Sequence, residues 1–302
     1  MATIDVATGV PNPAKAERAR RNPKVGLLIE GAADEPVVIV SARAAVRDAD
    51  LQANCVRYLA ETGFKGISHG VTWELARQAV TYWSRIIIEN KPRRVYWWDN
   101  QAAMDGPSHV WTAAANTVYP TSDPKPSGEM KPSAWPVRPW PEVARDAVAK
   151  GASAHLTVLD DDGYPMPMRA RSFELVEEGF RLDIPRGVPC RIAGKGSLTF
   201  AGFQSFVGEI VPATGASLFK AERALPEHPS TRDTKQVLQP SEDTRKKAWA
   251  RLEYEAQRRG QAIPTPPLEM PAATRLAKLR QARITSDKPI TGLTVEHGNR
   301  TT

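Results

Sequence analysis

Apolar and polar positions divide the chain into two β-rich regions separated by a proline-rich stretch. In the first region Thr3–Val6 alternates apolar and polar residues, as a half-buried strand does. Lys24–Ile29 and Pro36–Ala45 are apolar runs of strand length, and Ala14–Arg21 before them has the composition of a short basic helix. The pattern therefore predicts a sheet with a helix inserted after its first strand.

Further elements follow in the same region. Asp48 and Thr72 stand where the capping residues of two helices are expected. Tyr82–Glu89 and Arg93–Trp98 are rich in residues that favour strands, and Asn90-Lys91-Pro92 between them has the composition of a turn. Two strands joined by a turn are therefore predicted to close the region.

The second region covers about 142–221 and begins with a predicted amphipathic helix at Val143–Lys150. Ala154–Leu159 and Pro165–Leu175 are predicted strands on either side of Asp160-Asp161-Asp162-Gly163, a hairpin signal because an Asp-Gly pair tolerates positive φ. Further strands are predicted at Gly179–Ile184, Ser197–Phe200 and Ser205–Val211.

These elements indicate a mainly β protein with helices, of the α+β class. The predicted units are a first domain at 1–100, a proline-rich linker at 101–141, a second domain at 142–221 and a basic helical tail at 222–302. The tail contains two helical stretches, Asp243–Arg259 and Pro271–Ala282, whose few apolar residues suggest docking on another part of the molecule. We expect the rest of the chain to stay folded when about 241–302 is deleted.

Composition narrows the class of protein. A hydrophobic fraction of 41% and a charged fraction of 25% are ordinary for a soluble globular protein. The net charge of +7 suits anionic ligands such as phosphates, but it is too diffuse to imply nucleic acid. No apolar run reaches the length of a membrane span, and no secretory signal is visible. We expect a cytoplasmic protein that binds neither membranes nor nucleic acid.

Cysteine and histidine positions give no sign of a metal site. Cys55 and Cys190 lie far apart without the neighbours of a zinc site or a redox pair, and the histidines lack the spacing of metal ligands. No metal is therefore expected. No nucleophile motif or phosphate-binding glycine loop is present either, so the sequence names no catalytic acid or base.

One segment of the chain is echoed later. Ile4-Asp5-Val6-Ala7-Thr8-Gly9-Val10-Pro11 is similar to Leu182-Asp183-Ile184-Pro185-Arg186-Gly187-Val188-Pro189. Each copy is followed by a basic loop, an apolar strand and another strand, which is Val37–Ala45 in the first case and Ser205–Pro212 in the second. The echo predicts a structural repeat.

The chain resembles the pyridoxamine 5'-phosphate oxidase-like family of FMN-binding split β-barrels. The family's opening hairpin carries an Asp-x-Asp-Gly-x-Pro turn, present here as Asp160-Asp161-Asp162-Gly163-Tyr164-Pro165. Its Lys-bearing helix ends in Asn-Pro and precedes an apolar strand, as Ala14–Pro23 precedes Lys24–Ile29. Arg93–Trp98 resembles the closing strand, in which an Arg precedes a Trp near the flavin.

The resemblance implies two barrel-like halves in an unusual order. The hairpin that should open the first half, before Thr3, is missing, whereas the second half has its hairpin and lacks the Lys helix. If one half binds a cofactor, the helix favours the first half. The family's flavin site lies between subunits, so a homodimer is also implied.

The resemblance further implies an FMN-dependent oxidoreductase that acts on an unknown small substrate, with NAD(P)H as a possible donor. Lys15 would contact the flavin phosphate, with Asn12 and Arg18 beside it. The predicted residues around the isoalloxazine ring are Trp83, Arg85, Arg94 and Trp98. A deazaflavin or heme is a less favoured cofactor.

Simpler interpretations stand beside these. The basic residues of Ala14–Arg21 could form a solvated helix face, and Trp97 or Trp98 could be core. At the level of function, the chain could bind flavin or heme without catalysis. It could also be a structural or interaction protein with a degenerate cofactor site.

Overall fold

The computed structural model describes residues 3–62, 71–132, 135–200, 204–213, 215–226 and 241–270. Over these residues the chain is mainly β, with two curled antiparallel sheets and several helices. None of the described helices is long and apolar enough to cross a membrane.

The first sheet contains five strands. Four lie in the order β1-β4-β3-β2, and β5 pairs with the same edge of β4 as β1, beyond the end of β1. Its strands are β1 (Ile4–Gly9), β2 (Lys24–Ile29), β3 (Val37–Arg47), β4 (Arg85–Trp98) and β5 (His109–Thr112). The predicted first three strands are confirmed. β5 was not predicted, because it lies in the stretch expected to be a linker.

The turn predicted at Asn90-Lys91-Pro92 is wrong, because β4 runs through it as one strand of 14 residues. The register against β3 shifts between Ser41, paired with Arg94, and Ala42, paired with Pro92, so that Arg93 forms a bulge. On the other side β1 pairs with β4 only as far as Asn90 and β5 only from Arg94 onward. Pro92 therefore lies beside a bulge and between two partner strands, a position in which a sheet tolerates proline.

The second sheet contains seven strands in the order β7-β6-β10-β11-β12-β9-β8. They are β6 (Ala154–Leu159), β7 (Pro165–Arg169), β8 (Ser172–Val176), β9 (Gly179–Asp183), β10 (Gly194–Phe200), β11 (Gln204–Ala213) and β12 (Ala216–Ala224). The predicted strand Pro165–Leu175 is two strands, and β12 extends past the predicted domain end. The Asp-Gly hairpin is confirmed: Gly163 has φ +74° and donates its N–H to Asp160 O at 2.8 Å.

The two sheets share a strand order. β9, β12, β11 and β10 are neighbours in that order, as β1, β4, β3 and β2 are in the first sheet. One copy of the echoed segment contains β1, and the other contains the end of β9. In both units three antiparallel strands follow, and the last one pairs with the first. The repeat predicted from the sequence is therefore present in the topology.

The two sheets differ in what lies beyond β10 in the second sheet and beyond its counterpart β2 in the first. In the second sheet the hairpin β6–β7 pairs with β10, whereas within the described residues no strand pairs with the outer edge of its counterpart β2. β7 instead packs against β2, where a Cβ on Gly26 would lie 2.0 Å from Pro165 O. Glycine at position 26 therefore permits the close approach of the two sheets.

Helices cover the first sheet and one end of the second. They are α1 (Ala14–Arg21), α2 (Leu51–Thr62), α3 (Trp73–Ala76), α4 (Val80–Trp83), α5 (Trp140–Ala149) and α6 (Glu242–Arg258). Thr72 caps α3 as predicted, by accepting from the backbone N–H of Leu75 at 3.3 Å. The cap of α2 is Asp50 rather than Asp48, since Asp50 Oδ1 accepts from the N–H of Ala53 at 2.8 Å. The second predicted tail helix, Pro271–Ala282, lies outside the described residues.

β3 contributes to the two largest hydrophobic cores of the described residues; a third, small cluster contains Val71 and Ala76. The inter-sheet core packs Val37 and Ile39 against the second sheet, and the helix core packs Ala44 and Val46 against α1, α2 and α6. Alternate residues of a strand point to opposite faces, so the odd-numbered pair and the even-numbered pair enter different cores. At the end of β3 that contains Val37, the first sheet is buried against the second sheet. At the end that contains Val46, its opposite face is buried against the helices.

Charged residues hold α6 against the first sheet. We call the following group the buried ion cluster: Glu17, Arg20, Asp48, Glu255, Arg258 and Arg259. Arg259 donates to Asp48 at 3.0 Å and to Glu255 at 2.6 Å, and all three side chains are at most 2% exposed. Because buried charges are tolerated only when paired, the cluster requires α6 in its docked position.

Candidate cofactor site

The start of α1 carries the predicted phosphate residues. Pro13 precedes the helix, and the turn before it is closed by a hydrogen bond from the N–H of Asn12 to Gly9 O at 3.0 Å. Lys15 and Arg18 are exposed, whereas Ala16 and Ala19 are buried against the sheet. The helix therefore turns its small residues inward and presents two adjacent cations to solvent.

Neither cation is neutralised. In the described part of the chain Lys15 and Arg18 form no ion pair, unlike Arg20 on the inner side of the same helix, which pairs with Asp48 at 2.7 Å. Two free cations beside the N–H groups of a helix start form an arrangement that suits a phosphate.

Arg85 lies at the same end of the sheet. It pairs with Gly9 across β1 and β4, which places it next to the turn that leads into α1. Its guanidinium lies 4.5 Å from the ring centroid of Tyr58 and donates to Tyr82 O at 2.9 Å. Within the described residues its partners are uncharged, so Arg85 adds positive charge to this end of β4.

The predicted aromatic residues do not join this group. Trp83 belongs to the helix core and Trp98 to the inter-sheet core, and each side chain is 1% exposed. Trp83 Nε1 donates to Arg77 O at 2.8 Å, and Trp98 Nε1 donates to Gly106 O at 3.1 Å. Their ring faces are occupied by core packing, so within this chain they offer no surface for a flavin ring.

Distance also divides the predicted residues. Arg85 and Trp98 are the two ends of the 14-residue strand β4, roughly 40 Å apart at about 3.3 Å per residue. Arg94, near the far end, donates to the Tyr96 hydroxyl at 3.2 Å and lies 3.9 Å from Asp162. The structure thus places Asn12, Lys15 and Arg18 together at the start of α1, with Arg85 paired to Gly9 just before that turn, and it puts Arg94 and Trp98 at the other end of β4. That these residues bind a cofactor stays a prediction.

The outer face of the first sheet carries an apolar surface that the sequence analysis missed. Cross-strand pairing sets up two parallel rows, Ile29–Val38–Trp97–His109 and Leu27–Val40–Val95–Trp111, in which Val40 is buried and the other residues are partly or fully exposed. The rings of Trp97 and His109 are stacked with centroids 5.2 Å apart, and Ile29 is 48% exposed. The alternation of Val38 and Val40 with Val37 and Ile39 is the signal that could have shown that β3 is apolar on both faces.

A shallow cleft of about 320 Å³ lies at the end of β7. Arg169, Arg171, Ser153 and Ser172 line it. The hydrogen bond from Arg171 lowers the pKa of Asp105 to about 2, and Arg171 also pairs with Asp183 at 2.9 Å. Because carboxylates already neutralise Arg171, the cleft has less free positive charge than the start of α1.

The cysteines contribute no reactive thiolate. Burial raises the pKa of Cys55 to about 11 and is the main cause that raises the pKa of Cys190 to about 12. Both thiols are free and stay protonated near neutral pH. Within the described residues no group of histidine, cysteine, aspartate or glutamate side chains could hold a metal ion.

Comparison with known proteins adds no relative. No protein-family model, no curated protein and no solved structure matches this chain.

Proposed function

We propose that this chain is an FMN-dependent oxidoreductase with a split-barrel fold, and that it holds the flavin phosphate at the start of α1. The observation that carries the proposal is the pair of free cations, Lys15 and Arg18, on the helix where the family resemblance expects the phosphate contact. Arg85 adds a third positive charge from the adjacent strand. The repeated strand order supports a protein of two related barrel halves.

The residues present suit the phosphate end of FMN better than its ring. The phosphate end matches exposed cations, whereas Trp83 and Trp98 cannot frame the ring because both are core. We propose that a second copy of the chain covers the ring, in keeping with a site between subunits. Bound flavin would supply the redox chemistry, while the protein residues bind and orient it.

The test is an absorption spectrum of the purified protein followed by titration with FMN. We expect the spectrum of bound flavin, since a deazaflavin and heme absorb differently. Lys15→Ala should weaken FMN binding by roughly 1–3 kcal/mol, the scale of a hydrogen bond to a charged group. Glu242→Ala, on the exposed start of α6, serves as the matched control. Unchanged affinity for Lys15→Ala would contradict the assigned role.

A second candidate function is favoured by the burial of the two tryptophans. A chain that keeps the fold and loses the ring site would be a non-catalytic flavin- or heme-binding protein, or an interaction protein with a degenerate cofactor site. Steady-state oxidation of NAD(P)H by the FMN-loaded protein separates the candidates: turnover supports the enzyme, and binding without turnover supports the carrier. A chain that binds neither flavin nor heme supports the interaction protein.

A further inference from the structure

Side chains along α6 hydrogen-bond to a segment of the predicted linker. We call residues 127–132 the strap. Arg251, Tyr254 and Arg258 lie on one side of α6 at helical spacing, and all donate to main-chain carbonyls of the strap. The hydrogen bonds run from Arg258 Nε to Ser127 O (2.9 Å), from Tyr254 Oη to Glu129 O (2.7 Å), and from Arg251 Nη2 to Lys131 O (3.1 Å).

Arg251 also donates a hydrogen bond to a residue outside the strap. Its Nε donates to Pro11 O at 2.7 Å, in the turn that precedes α1. Its Nη1 also reaches Pro132 O at 3.3 Å, so the guanidinium connects the turn to the strap. A planar guanidinium with several fixed donors can hold separate carbonyls at once, which a lysine ammonium does less well.

The charge of Arg251 is not cancelled. In the described part of the chain its partners are carbonyl oxygens, whereas Arg258 and Arg259 on the same helix each pair with Glu255. Arg251 therefore brings a free positive charge to the turn that leads into Lys15.

We propose that Arg251 is a positioning residue of the flavin-phosphate site, an inference that rests on the proposed function. It fixes the turn at Pro11–Pro13 and so the direction in which α1 presents Lys15. It also adds its charge to the field that a phosphate meets there. α6 is thereby part of the cofactor site, although Arg251 lies 240 positions along the chain from Pro11 in the turn that it holds.

The experiment compares FMN affinity and backbone hydrogen exchange in the full-length wild type, Arg251→Ala, Arg251→Lys and Tyr254→Phe. Tyr254→Phe is the matched control, because it removes a strap contact from the same face of α6 and leaves Pro11 untouched. We expect Arg251→Ala to weaken FMN binding by roughly tenfold, because the turn loses its charged hydrogen-bond donor and the phosphate loses a nearby positive charge. Arg251→Lys, which keeps the charge but has a single donor nitrogen in place of the guanidinium, should recover part of that loss.

Hydrogen exchange reports on position without ligand. In Arg251→Ala the amides of Asn12 and Glu17, which donate to Gly9 O and Pro13 O, should exchange faster than in wild type. In Tyr254→Phe they should be unchanged. This readout separates a local effect on the turn from general loss of stability.

The outcomes separate the two proposals. Equal FMN affinity of wild type and Arg251→Ala would overturn this inference and leave the proposed function standing. Equal losses in Arg251→Ala and Tyr254→Phe would also overturn it, because the effect would then be one of α6 docking alone. Failure of the wild type to bind FMN would overturn both. If Arg251→Ala does not fold, the same comparison is made between Arg251→Lys and Tyr254→Phe.

Discussion

Asp48 is the buried carboxylate on which α1, α2 and α6 converge. Its side chain accepts from Arg20 at 2.7 Å and from Arg259 at 3.0 Å, and its main-chain oxygen accepts from Gln261 at 2.6 Å. Sequence reasoning assigned it to a helix cap, because an aspartate before a helix is a common capping residue. Its burial depends on residues more than 200 positions away, which no local pattern shows.

We predict that Asp48→Ala lowers the free energy of unfolding by about 3–5 kcal/mol, because two buried guanidinium groups lose their carboxylate. Urea unfolding followed by circular dichroism measures the change. The control is Glu242→Ala, which removes an exposed pair with Lys246 and should have little effect. Similar stability of the two variants would show that the buried ion cluster does not need Asp48.

Glu30 gives a prediction for pH. The hydrogen bond from His155, at 2.8 Å, is the largest cause that lowers the pKa of Glu30 from 4.5, and Arg169 adds to it. A carboxyl group whose folded pKa is depressed stabilises the protein above its unfolded pKa, and this stabilisation is lost as pH falls through the folded value. Wild type should therefore be more stable than Glu30→Gln at pH 7, and the difference should shrink below about pH 4.5.

Thermal unfolding of both proteins between pH 7 and pH 3 measures this difference. Glu178→Gln is the control, since the Glu178 carboxylate forms an exposed pair with Lys220 at 3.9 Å. A difference between wild type and Glu30→Gln that stays constant with pH would show that the ionised Glu30 contributes nothing to stability.

At the scale of elements, the sequence predicted correctly the bounds of a helix and a strand that depend on neighbouring residues alone. α1 and β2 have the predicted bounds, because a basic helix that ends at Asn-Pro and an apolar run are complete signals in themselves. β4 was divided at Asn90–Pro92 because turn-forming residues can also occupy a bulge, and only the partner strands decide between these. β12 was not predicted, and the predicted domain end at 221 falls inside it, because its pairing with β9 and β11 depends on distant parts of the chain.

The packing of α6 bears on the expectation that the chain stays folded without about 241–302. Leu252 and Ala256 are buried in the helix core, and Arg258 and Arg259 belong to the buried ion cluster. We now expect deletion of 241–302 to destabilise the protein, because it exposes apolar surface worth about 1.5–3 kcal/mol for a large side chain and leaves Asp48 without Arg259.

Solubility and melting temperature of the deletion variant test this expectation. A shorter deletion of 271–302, which keeps α6, is the matched control. If the variant without 241–302 unfolds cooperatively at the melting temperature of wild type, α6 is dispensable and the original expectation is restored.

At the scale of the whole molecule, the sequence predicted two related halves but could not show how they meet. Asp162, in the hairpin turn of the second sheet, pairs with Arg93 at 2.8 Å and accepts from Lys24 at 2.5 Å through its main-chain oxygen. The candidate site was partly predictable for the same reason as the fold. Lys15 and Arg18 follow from a local helix pattern, whereas the burial of Trp83 and Trp98 depends on the distant segments that pack on them.

The inter-sheet core makes the halves mutually dependent. Val37, Ile39, Tyr96 and Trp98 of the first sheet are at most 5% exposed and belong to the core that they share with the second sheet. We therefore predict that the fragment 1–141 is insoluble when produced alone, because it exposes this apolar face. The full chain should unfold in a single calorimetric transition whose van't Hoff and calorimetric enthalpies agree. Two separate transitions, or a soluble and cooperatively folded 1–141 fragment, would show instead that each half is a domain in its own right and that the core between them forms after both have folded.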